Sequence, residues 1–200
     1  MTEKTEARPA ANVLLVGVGG QGIVLASQVL ARLAFDAGLD AKQNEVHGLS
    51  QRGGSVTGHV RWGREVFTPV IMEGEAHFLL ALEELEALRW AHFVRPDGLV
   101  VADSRHIAPA SVTAGGEQYP EDIPGRLREF AETLSVPGYQ IALEMGVPRA
   151  ANVVLLGALS TRVPGFSAGE WKAAVSAHVP EKFLDVNLAA FDRGRESADR

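Results

Sequence analysis

Two glycine-rich stretches contain the residues that could carry chemistry, and the first has the spacing of a ligand-binding loop. Gly17-Val18-Gly19-Gly20-Gln21-Gly22 matches the pattern G-x-G-x-x-G. Glycines at these positions permit a tight turn, let a ligand approach the backbone, and place the amides of a following helix near an anion. The pattern predicts a nucleotide-binding loop, although a strand-to-helix turn alone also needs glycine.

The second stretch follows an acidic residue. Glu45 lies about 20 residues beyond the first stretch, where dinucleotide-binding folds place the acid that binds ribose. The polar run His47-Gly48-Leu49-Ser50-Gln51-Arg52-Gly53-Gly54 comes next, and a dinucleotide site needs no such loop. A free-standing NAD(P)- or flavin-binding oxidoreductase therefore remains only as the alternative hypothesis.

Three polar side chains near these stretches have two interpretations each. The guanidinium of Arg52 suits a carboxylate, a pyrophosphate or an acidic side chain of another protein, or it pairs with Glu45 or Glu73 and stiffens the fold. Gln21 donates to an anion or to a partner's backbone, or it only caps the turn. His59 joins the same cluster, or it lies at the surface or in an interface.

Composition excludes several classes of protein. The net charge of −6 argues against a nucleic-acid surface, which needs clustered Lys and Arg. Since the 200 residues include no Cys, the chain has no cysteine ligand for an iron–sulfur cluster and no thiol nucleophile. The six His have no metal-ligand spacing, and no apolar run approaches the roughly 20 residues that span a bilayer. We expect a soluble cytoplasmic protein without a secretory signal.

The first half of the chain alternates strands with a helix around these stretches. We predict a buried strand over residues 12–18, a helix from Ile23 that ends at Gly38, and a second strand over 40–46. Residues 55–62 alternate in polarity, and Gly63-Arg64 predicts a hairpin turn into a strand over 66–71.

The second half continues with an α/β unit and then becomes helical. A strand over 77–82, a helix over 83–94, a turn at 96–98 and a strand over 99–102 form a predicted βαβ crossover. Further predicted helices are 123–134, 139–145, 150–159, 167–178 and 183–191. We expect one Rossmann-like, three-layer α/β domain with a mostly parallel sheet and a helical C-terminal section. The domain would span 12–192, between a disordered lead-in (1–11) and a charged tail (193–200).

Together, in this order and at this spacing, the two stretches resemble the gamma-type domain of 2-oxoacid:ferredoxin oxidoreductases. The segments Glu73-Gly74-Glu75-Ala76 and Ala151-Asn152-Val153-Val154-Leu155-Leu156-Gly157-Ala158 are similar to that family as well, so the resemblance covers nearly the whole chain. The run from His47 to Gly54, on a separate chain of this length, resembles the small (beta) subunits of the indolepyruvate type. Leu49 stands where Met is frequent.

The resemblance implies a two-chain enzyme that decarboxylates an arylpyruvate oxidatively with coenzyme A, yielding an aryl-acetyl-CoA, carbon dioxide and two electrons for ferredoxin. A large alpha subunit would hold thiamine diphosphate, Mg²⁺ and the iron–sulfur clusters, and this chain would hold no cofactor alone. A heterotetramer of two large and two small chains is expected.

The resemblance also gives the candidate residues a place at a subunit junction. His47 and Arg52 are the candidate catalytic residues. The remaining candidates would bind a cofactor or form the junction with the thiamine-bearing subunit: Gly17, Gly19, Gly20, Gln21, Gly22, Glu45, Ser50, Gln51, Gly53 and Gly54.

Overall fold

The computed structural model describes residues 8–47, 54–109, 112, 116 and 118–199, with the backbone alone for His47. A six-stranded sheet of order β2-β3-β1-β4-β5-β6 forms its centre. The strands are β1 Ala11–Val18, β2 Asp40–His47, β3 Ser55–Gly63, β4 Ala76–Ala81, β5 Val94–Asp103 and β6 Glu132–Val136. The helices are α1 Ile23–Asp36, α2 Glu84–Trp90, α3 Ile123–Arg128, α4 Gly138–Glu144, α5 Ala151–Ser160, α6 Ala168–Ser176 and α7 Leu184–Ala198.

Most of the sheet is parallel. β1, β4, β5 and β6 pair in parallel, while β3 is antiparallel to both of its neighbours, β1 and β2. The predicted α/β class with a mostly parallel sheet is therefore confirmed. The β4–α2–β5 segment is the predicted crossover, and Gly38 follows α1 with a φ of 78° as a left-handed helix end requires.

Helices cover both faces of the sheet. Successive residues of a strand point to opposite faces, so Val13 and Leu15 of β1 pack into one core and Leu14 and Val16 into the other. The first core contains residues of α1, α4, α5, α6 and α7, and the second contains residues of α2 and α3. All four β1 residues are fully buried, which explains why β1 is an uninterrupted apolar run.

The strand predicted over residues 66–71 is wrong. Both edges of β3 are already paired, with β1 and β2, so β3 has no free edge for the hairpin partner predicted to follow it. Backbone amides of this segment form hydrogen bonds with side chains instead. The amide of Val66, for example, donates to Asp40 Oδ2 at 2.8 Å. Pro69 also has no backbone N–H that could donate a hydrogen bond to a neighbouring strand. The predicted antiparallel part of the sheet is formed by β2 and β3.

Two helices end earlier than predicted, because residues at their predicted C-terminal ends belong to strands. α2 ends at Trp90, a short 3₁₀ turn covers Ala91–Phe93, and β5 begins at Val94. Residues 96–98 form an irregularity inside β5, where its register with β4 shifts, rather than a turn before it. α3 ends at Arg128, and residues 132–136 form β6, paired with β5.

Both ends of the domain extend beyond the predicted limits. Ala11 belongs to β1, Arg8 Nη2 lies 2.6 Å from Glu170 Oε1, and the carbonyl of Pro9 accepts from Trp62 Nε1. At the other end, α7 continues through residues 193–198, which we had expected to form a tail. Gly194 is buried in this last part of α7.

Candidate functional site

The first glycine stretch forms the turn between β1 and α1. Gly20 and Gly22 have φ angles of 96° and 87°, which favour glycine. A Cβ on Gly17 would lie 2.7 Å from Gln21 Oε1. The glycines at these positions are thus explained by the turn itself.

Gln21 caps this turn. Its Oε1 accepts from the amide of Val18 at 2.6 Å, and its Nε2 donates to the carbonyl of Leu82 at 2.6 Å. Both ends of the side-chain amide are therefore occupied within the fold. Of the two interpretations of Gln21, the structure supports the cap, which ties the loop to the end of β4.

Asn152 was not predicted, although it braces the start of α1. Its Nδ2 donates to the carbonyl of Gly22 at 3.1 Å, and a Cβ on Gly22 would collide with this amide. Asn152 is 3% exposed on a helix whose other residues are mostly apolar. A buried amide in an apolar run is the signal that could have revealed it.

The two glycine stretches meet at one point of the structure. The amide of Gly19 donates to the carbonyl of Gly54 at 3.0 Å. Gly54 precedes β3, whose first residue Ser55 pairs with Val18 at the end of β1. Gly48, Ser50, Gln51, Arg52 and Gly53 lie outside the described residues, as does the side chain of His47.

Glu45 does not have the position of a ribose-binding acid. It pairs with Gly58 of β3, and Gly58 pairs with Leu15 of β1. Two strand spacings, roughly 10 Å, thus separate β2 from β1. In a dinucleotide-binding unit the strand after the first helix lies directly beside the first strand, so the inserted β3 argues against the NAD(P) or flavin alternative.

His59 lies in the interior of the fold and not at the surface. It is 7% exposed, and its Nδ1 accepts from the amide of Ile71 at 3.2 Å. Burial lowers the pKa of His59, which favours the neutral ring that this hydrogen bond needs. Glu73, a possible partner of Arg52, lies 3.6 Å from His92 Nε2.

A cleft of about 550 Å³ opens at the carboxyl ends of β1, β4 and β5. Ligands of open α/β sheets bind at this edge. The lining residues are Val18, Gly19, Gly20, Gln21, Gly22, Leu82, Asp103, Arg105, Ile107, Tyr139, Pro148, Arg149 and Ala151. The cleft therefore has the backbone of the glycine loop on one side and two arginines among its other residues.

Asp103 lies at the end of β5 and anchors part of the cleft. It is 2% exposed, and its carboxylate accepts from the amides of Arg105 at 3.2 Å and Tyr139 at 2.9 Å. Burial raises the pKa of Asp103 to about 6, although these amides and the Arg105 guanidinium favour the charged form. The guanidinium carbon of Arg105 lies 3.7 Å from the centroid of the Tyr139 ring.

Buried carboxylates at the start of α2 hold the segment after β5. Glu83 Oε2 accepts from the amide of Glu86 at 2.8 Å, and its Oε1 accepts from Ile107 N at 3.0 Å and the Tyr119 hydroxyl at 2.7 Å. Burial and this carboxylate raise the pKa of Tyr119. Glu84 contacts His106, whose ring stacks on Tyr119 at 5.0 Å. These contacts fix one wall of the cleft.

A third carboxylate connects α2 to the end of the second glycine stretch. Glu86 Oε2 accepts from the hydroxyl of Ser55 at 2.5 Å, and Glu86 Oε1 accepts from Arg89 at 2.6 Å. Because Ser55 follows Gly54, this contact links the exit of the polar loop to the same helix that supports the cleft. The start of β3 and the wall of the cleft are thus held by the same helix.

The described part of the chain has neither a cluster of metal-ligating side chains nor a membrane-spanning helix. Within it, no group of three or more His, Cys, Asp or Glu is placed to hold a metal ion. No helix among the same residues is long and apolar enough to cross a bilayer.

The fold of this chain is also found in a subunit of a ferredoxin oxidoreductase. The chain superimposes on the gamma subunit of a keto/oxoacid ferredoxin oxidoreductase from Geobacter sulfurreducens with a TM-score of 0.73, covering 95% of this chain and 97% of that one. At 24% identity this likeness is one of fold. A family model for pyruvate ferredoxin/flavodoxin oxidoreductase matches residues 12–197. The chain belongs to this family, as its two glycine stretches predicted, and it is an oxidoreductase subunit.

Several curated relatives are similar to this chain over almost their whole length. A protein of Archaeoglobus fulgidus is 42% identical over 192 residues, covering 94% of both chains. A protein of Pyrococcus horikoshii is 40% identical over 193 residues, covering 94% of this chain and 95% of its own. Both are named indolepyruvate oxidoreductase subunit IorB. A 2-oxoglutarate synthase subunit KorC of Methanothermobacter thermautotrophicus is 29% identical, covering 92% of this chain and 93% of its own.

Proposed function

We propose that this chain is the small subunit of an indolepyruvate oxidoreductase, an enzyme that acts on aryl 2-oxoacids. The observation that carries the proposal is the difference in identity among relatives of similar length. Relatives named for indolepyruvate share 36–42% of their residues with this chain, against 26–29% for those named for 2-oxoglutarate. The run from His47 to Gly54 supports the same assignment.

The proposed reaction divides the work between two chains in the cytoplasm. An aryl 2-oxoacid and coenzyme A would give an aryl-acetyl-CoA, carbon dioxide, a proton and two electrons, which pass to ferredoxin. Thiamine diphosphate, Mg²⁺ and iron–sulfur clusters would reside in the large subunit, where the thiamine group supplies the carbanion chemistry. The absence of Cys from this chain supports that division, since clusters are commonly held by cysteine thiolates.

The joined glycine stretches are the proposed junction with the large subunit. The hydrogen bond between Gly19 and Gly54 brings the turn after β1 beside the last residue of the second stretch. The proposal extends this junction to His47, Ser50, Gln51 and Arg52, which precede Gly54 in the sequence. Contacts from Gln21 and Glu86 fix both ends of this arrangement to β4 and α2. In the proposal these residues contact the thiamine-bearing subunit and shape the entrance to its active site.

A substrate panel tests the proposal. The complex of this chain with its large subunit would be given indolepyruvate, phenylpyruvate, hydroxyphenylpyruvate, pyruvate and 2-oxoglutarate, each with coenzyme A and ferredoxin. We expect kcat/KM to be highest for an aryl 2-oxoacid. A preference for pyruvate or 2-oxoglutarate would contradict the proposed substrate class, while leaving the family assignment intact.

A further inference from the structure

One edge of the sheet is a long strand whose outer side has no partner strand among the described residues. β2 is the first strand of the sheet, so only β3 pairs with it. Its eight residues pair with β3 in continuous register, without a bulge. The strand at the other edge, β6, has five residues and is followed directly by Pro137. The outer side of β2 therefore presents a row of backbone N–H and C=O groups with which another strand can pair.

The side chains of β2 do little to keep another strand away. Edges of β-sheets are commonly protected by proline or by a charged side chain, often lysine. β2 contains no proline, and the Nζ of its one lysine, Lys42, lies 3.0 Å from both carboxylate oxygens of Asp40. The lysine is thus paired within its own strand, and β2 lacks the usual protection of a sheet edge.

Apolar side chains are exposed on and beside this edge. Phe35, on α1, is 69% exposed and lines a shallow recess together with Ala41 of β2. Val46, on β2 itself, is 53% exposed. Phe67 is 85% exposed, in the segment that is hydrogen-bonded to the start of β2. Exposed apolar side chains along a free edge indicate a surface that another chain covers.

We propose that β2 pairs antiparallel with β2 of a second copy of this chain, which joins the two six-stranded sheets into one. Identical antiparallel strands are related by a two-fold axis perpendicular to the sheet, and two-fold dimers are the commonest homo-oligomers. Each strand then satisfies the free edge of the other. The pairing does not depend on which 2-oxoacid the enzyme accepts.

The sequence of β2 fits such an axis. A two-fold axis through an antiparallel pair places one residue opposite its own copy. The overlap of the two strands is almost complete when that residue is Gln43 or Asn44, in the middle of Asp40–His47. Both of these side chains are exposed and uncharged, so either can lie beside its own copy without charge repulsion.

The charged residues of β2 are compatible with both of these registers. Lys42 lies opposite Asn44 in one register and opposite Val46 in the other. Glu45 lies opposite an alanine or a glutamine, and Asp40, where it is paired, lies opposite Val46. Like charges directly opposite each other destabilise a strand pair, and neither register contains such a pair. The strand is therefore complementary to itself.

The same axis brings α1 of the two copies together. α1 packs over β2 and β3, and neighbouring strands lie about 4.8 Å apart. The two α1 helices would therefore be separated by roughly 10 Å across the axis, close to the distance between packed helices. Phe35 lies on the side of α1 that faces the edge, so the second copy would bury it.

The axis also sets the direction of the two proposed junctions. Because it reverses the strands, the carboxyl ends of β1 in the two copies point to opposite ends of the dimer. The junction at Gly19 and Gly54 of each copy thus stays free for its own large subunit. Two small subunits with a large subunit at each end have the two-to-two composition that the family resemblance implies.

Single cysteines test the strand pairing directly, because the chain contains no other thiol. Directly opposite residues of antiparallel strands have Cβ atoms about 4.5–5.5 Å apart, close to the separation in a disulfide. Under mild oxidation, Gln43→Cys or Asn44→Cys, whichever residue lies on the axis, should form a covalent dimer. Gln118→Cys, at an exposed residue outside the edge, is the control. If neither β2 variant is crosslinked faster than this control, the proposal is overturned.

Sedimentation velocity of the full chain measures the association without a crosslink. The wild-type mass should approach twice 21.4 kDa as the concentration rises. Gln43→Glu should raise the dissociation constant of the dimer by about 3- to 30-fold, because the new carboxylate lies opposite its own copy or opposite Glu45. Gln118→Glu makes the same change of charge away from the edge and should leave the dissociation constant unchanged.

Two results of this measurement would overturn the proposal: a wild-type chain that stays monomeric at every concentration, or equal dissociation constants for wild type and Gln43→Glu. If Gln43→Glu instead prevents binding of the large subunit, β2 is a contact with that subunit, and pairing with a second copy is overturned as well. The substrate panel is independent of these outcomes, so failure of the strand pairing leaves the proposed function intact.

Discussion

Asp103 is an acid that the fold keeps almost entirely from solvent while two backbone amides donate to it. Burial dominates, so the pKa of its carboxyl rises to about 6 from 3.8. The folded state then holds the proton more tightly than the unfolded chain does. The contribution of Asp103 to the free energy of unfolding is therefore greatest at low pH. It falls as the pH rises from about 4 to about 6 and does not change further above that.

The Asp103→Asn variant should remove this pH dependence, because the amide resembles the protonated acid. The free energy of unfolding of wild type relative to the variant should fall by up to ~3 kcal/mol between pH 4 and pH 6. Urea denaturation of both proteins at several pH values from 4 to 7 measures the difference. If the free energies of unfolding of the two proteins differed by the same amount at every pH, the pKa of Asp103 would not be raised in the folded state.

Arg52 tests the proposed junction at the level of a single side chain. If it contacts the large subunit or a substrate, Arg52→Ala should lower turnover of the assembled complex about tenfold or more, as expected for a lost charge-assisted contact. Arg64→Ala, a change at an exposed arginine just after β3, is the control. Unchanged turnover in an intact Arg52→Ala complex would leave Arg52 with a structural role only.

The residues of the site differ in how readily they can be predicted from the sequence. Spacing reveals the glycine stretches, since a turn and its helix are local features. Arg105, Tyr139 and Arg149 stand alone in the sequence and come together only when β5, α4 and the turn before α5 assemble. Asp103 ends a buried strand and Arg105 comes just after it, and that position was the one signal available for them.

Among the elements, α5 and α7 make an unusually close contact. A Cβ on Gly157 would overlap the carbonyl of Phe191, and a Cβ on Gly194 would overlap that of Val154. The two helices therefore meet through their backbones. Gly157 lies in the helix predicted over residues 150–159, whereas Gly194 falls in the segment that was expected to be a tail.

Gly194→Ala should destabilise the domain despite the higher helix propensity of alanine. Overpacking at a backbone contact costs about 1–3 kcal/mol, which exceeds the gain of about 1 kcal/mol from propensity. Gly169→Ala is the control, because only Ser167 Oγ, at 3.9 Å, lies near the added methyl. Thermal unfolding should show a lower Tm for the first variant and an equal or higher Tm for the second. Equal Tm values would contradict a backbone-to-backbone contact.

Local periodicity predicts most elements, and it fails where pairing across the sheet decides the structure. α1, α6 and the β4–α2–β5 unit follow from repeating apolar positions and from caps such as Ser167 with Glu170. β6 was missed because its partner, β5, lies about 30 residues earlier and no local signal separates a short strand from a helix end. The 66–71 strand was wrong because the order of the strands, which leaves β3 no free edge, is not a local property.

As a whole molecule, the chain has the features of one part of a larger enzyme. It belongs to an oxidoreductase family and has no Cys, and no metal cage is present among its described residues. Gly54, the last residue of its second glycine stretch, lies at the same edge of the sheet as the cleft, where it accepts a hydrogen bond from Gly19. We therefore expect its activity to depend on the large subunit and to require both chains.

Reconstitution of the complex from separately purified large and small subunits tests this account most directly. Coenzyme A-dependent reduction of ferredoxin by indolepyruvate would be measured for each subunit alone and for increasing ratios of this chain to the large one. We predict negligible activity for either chain alone and a rise that saturates at equal amounts. Full activity of the large subunit alone, or an indolepyruvate-independent dinucleotide reductase activity in this chain alone, would contradict the account.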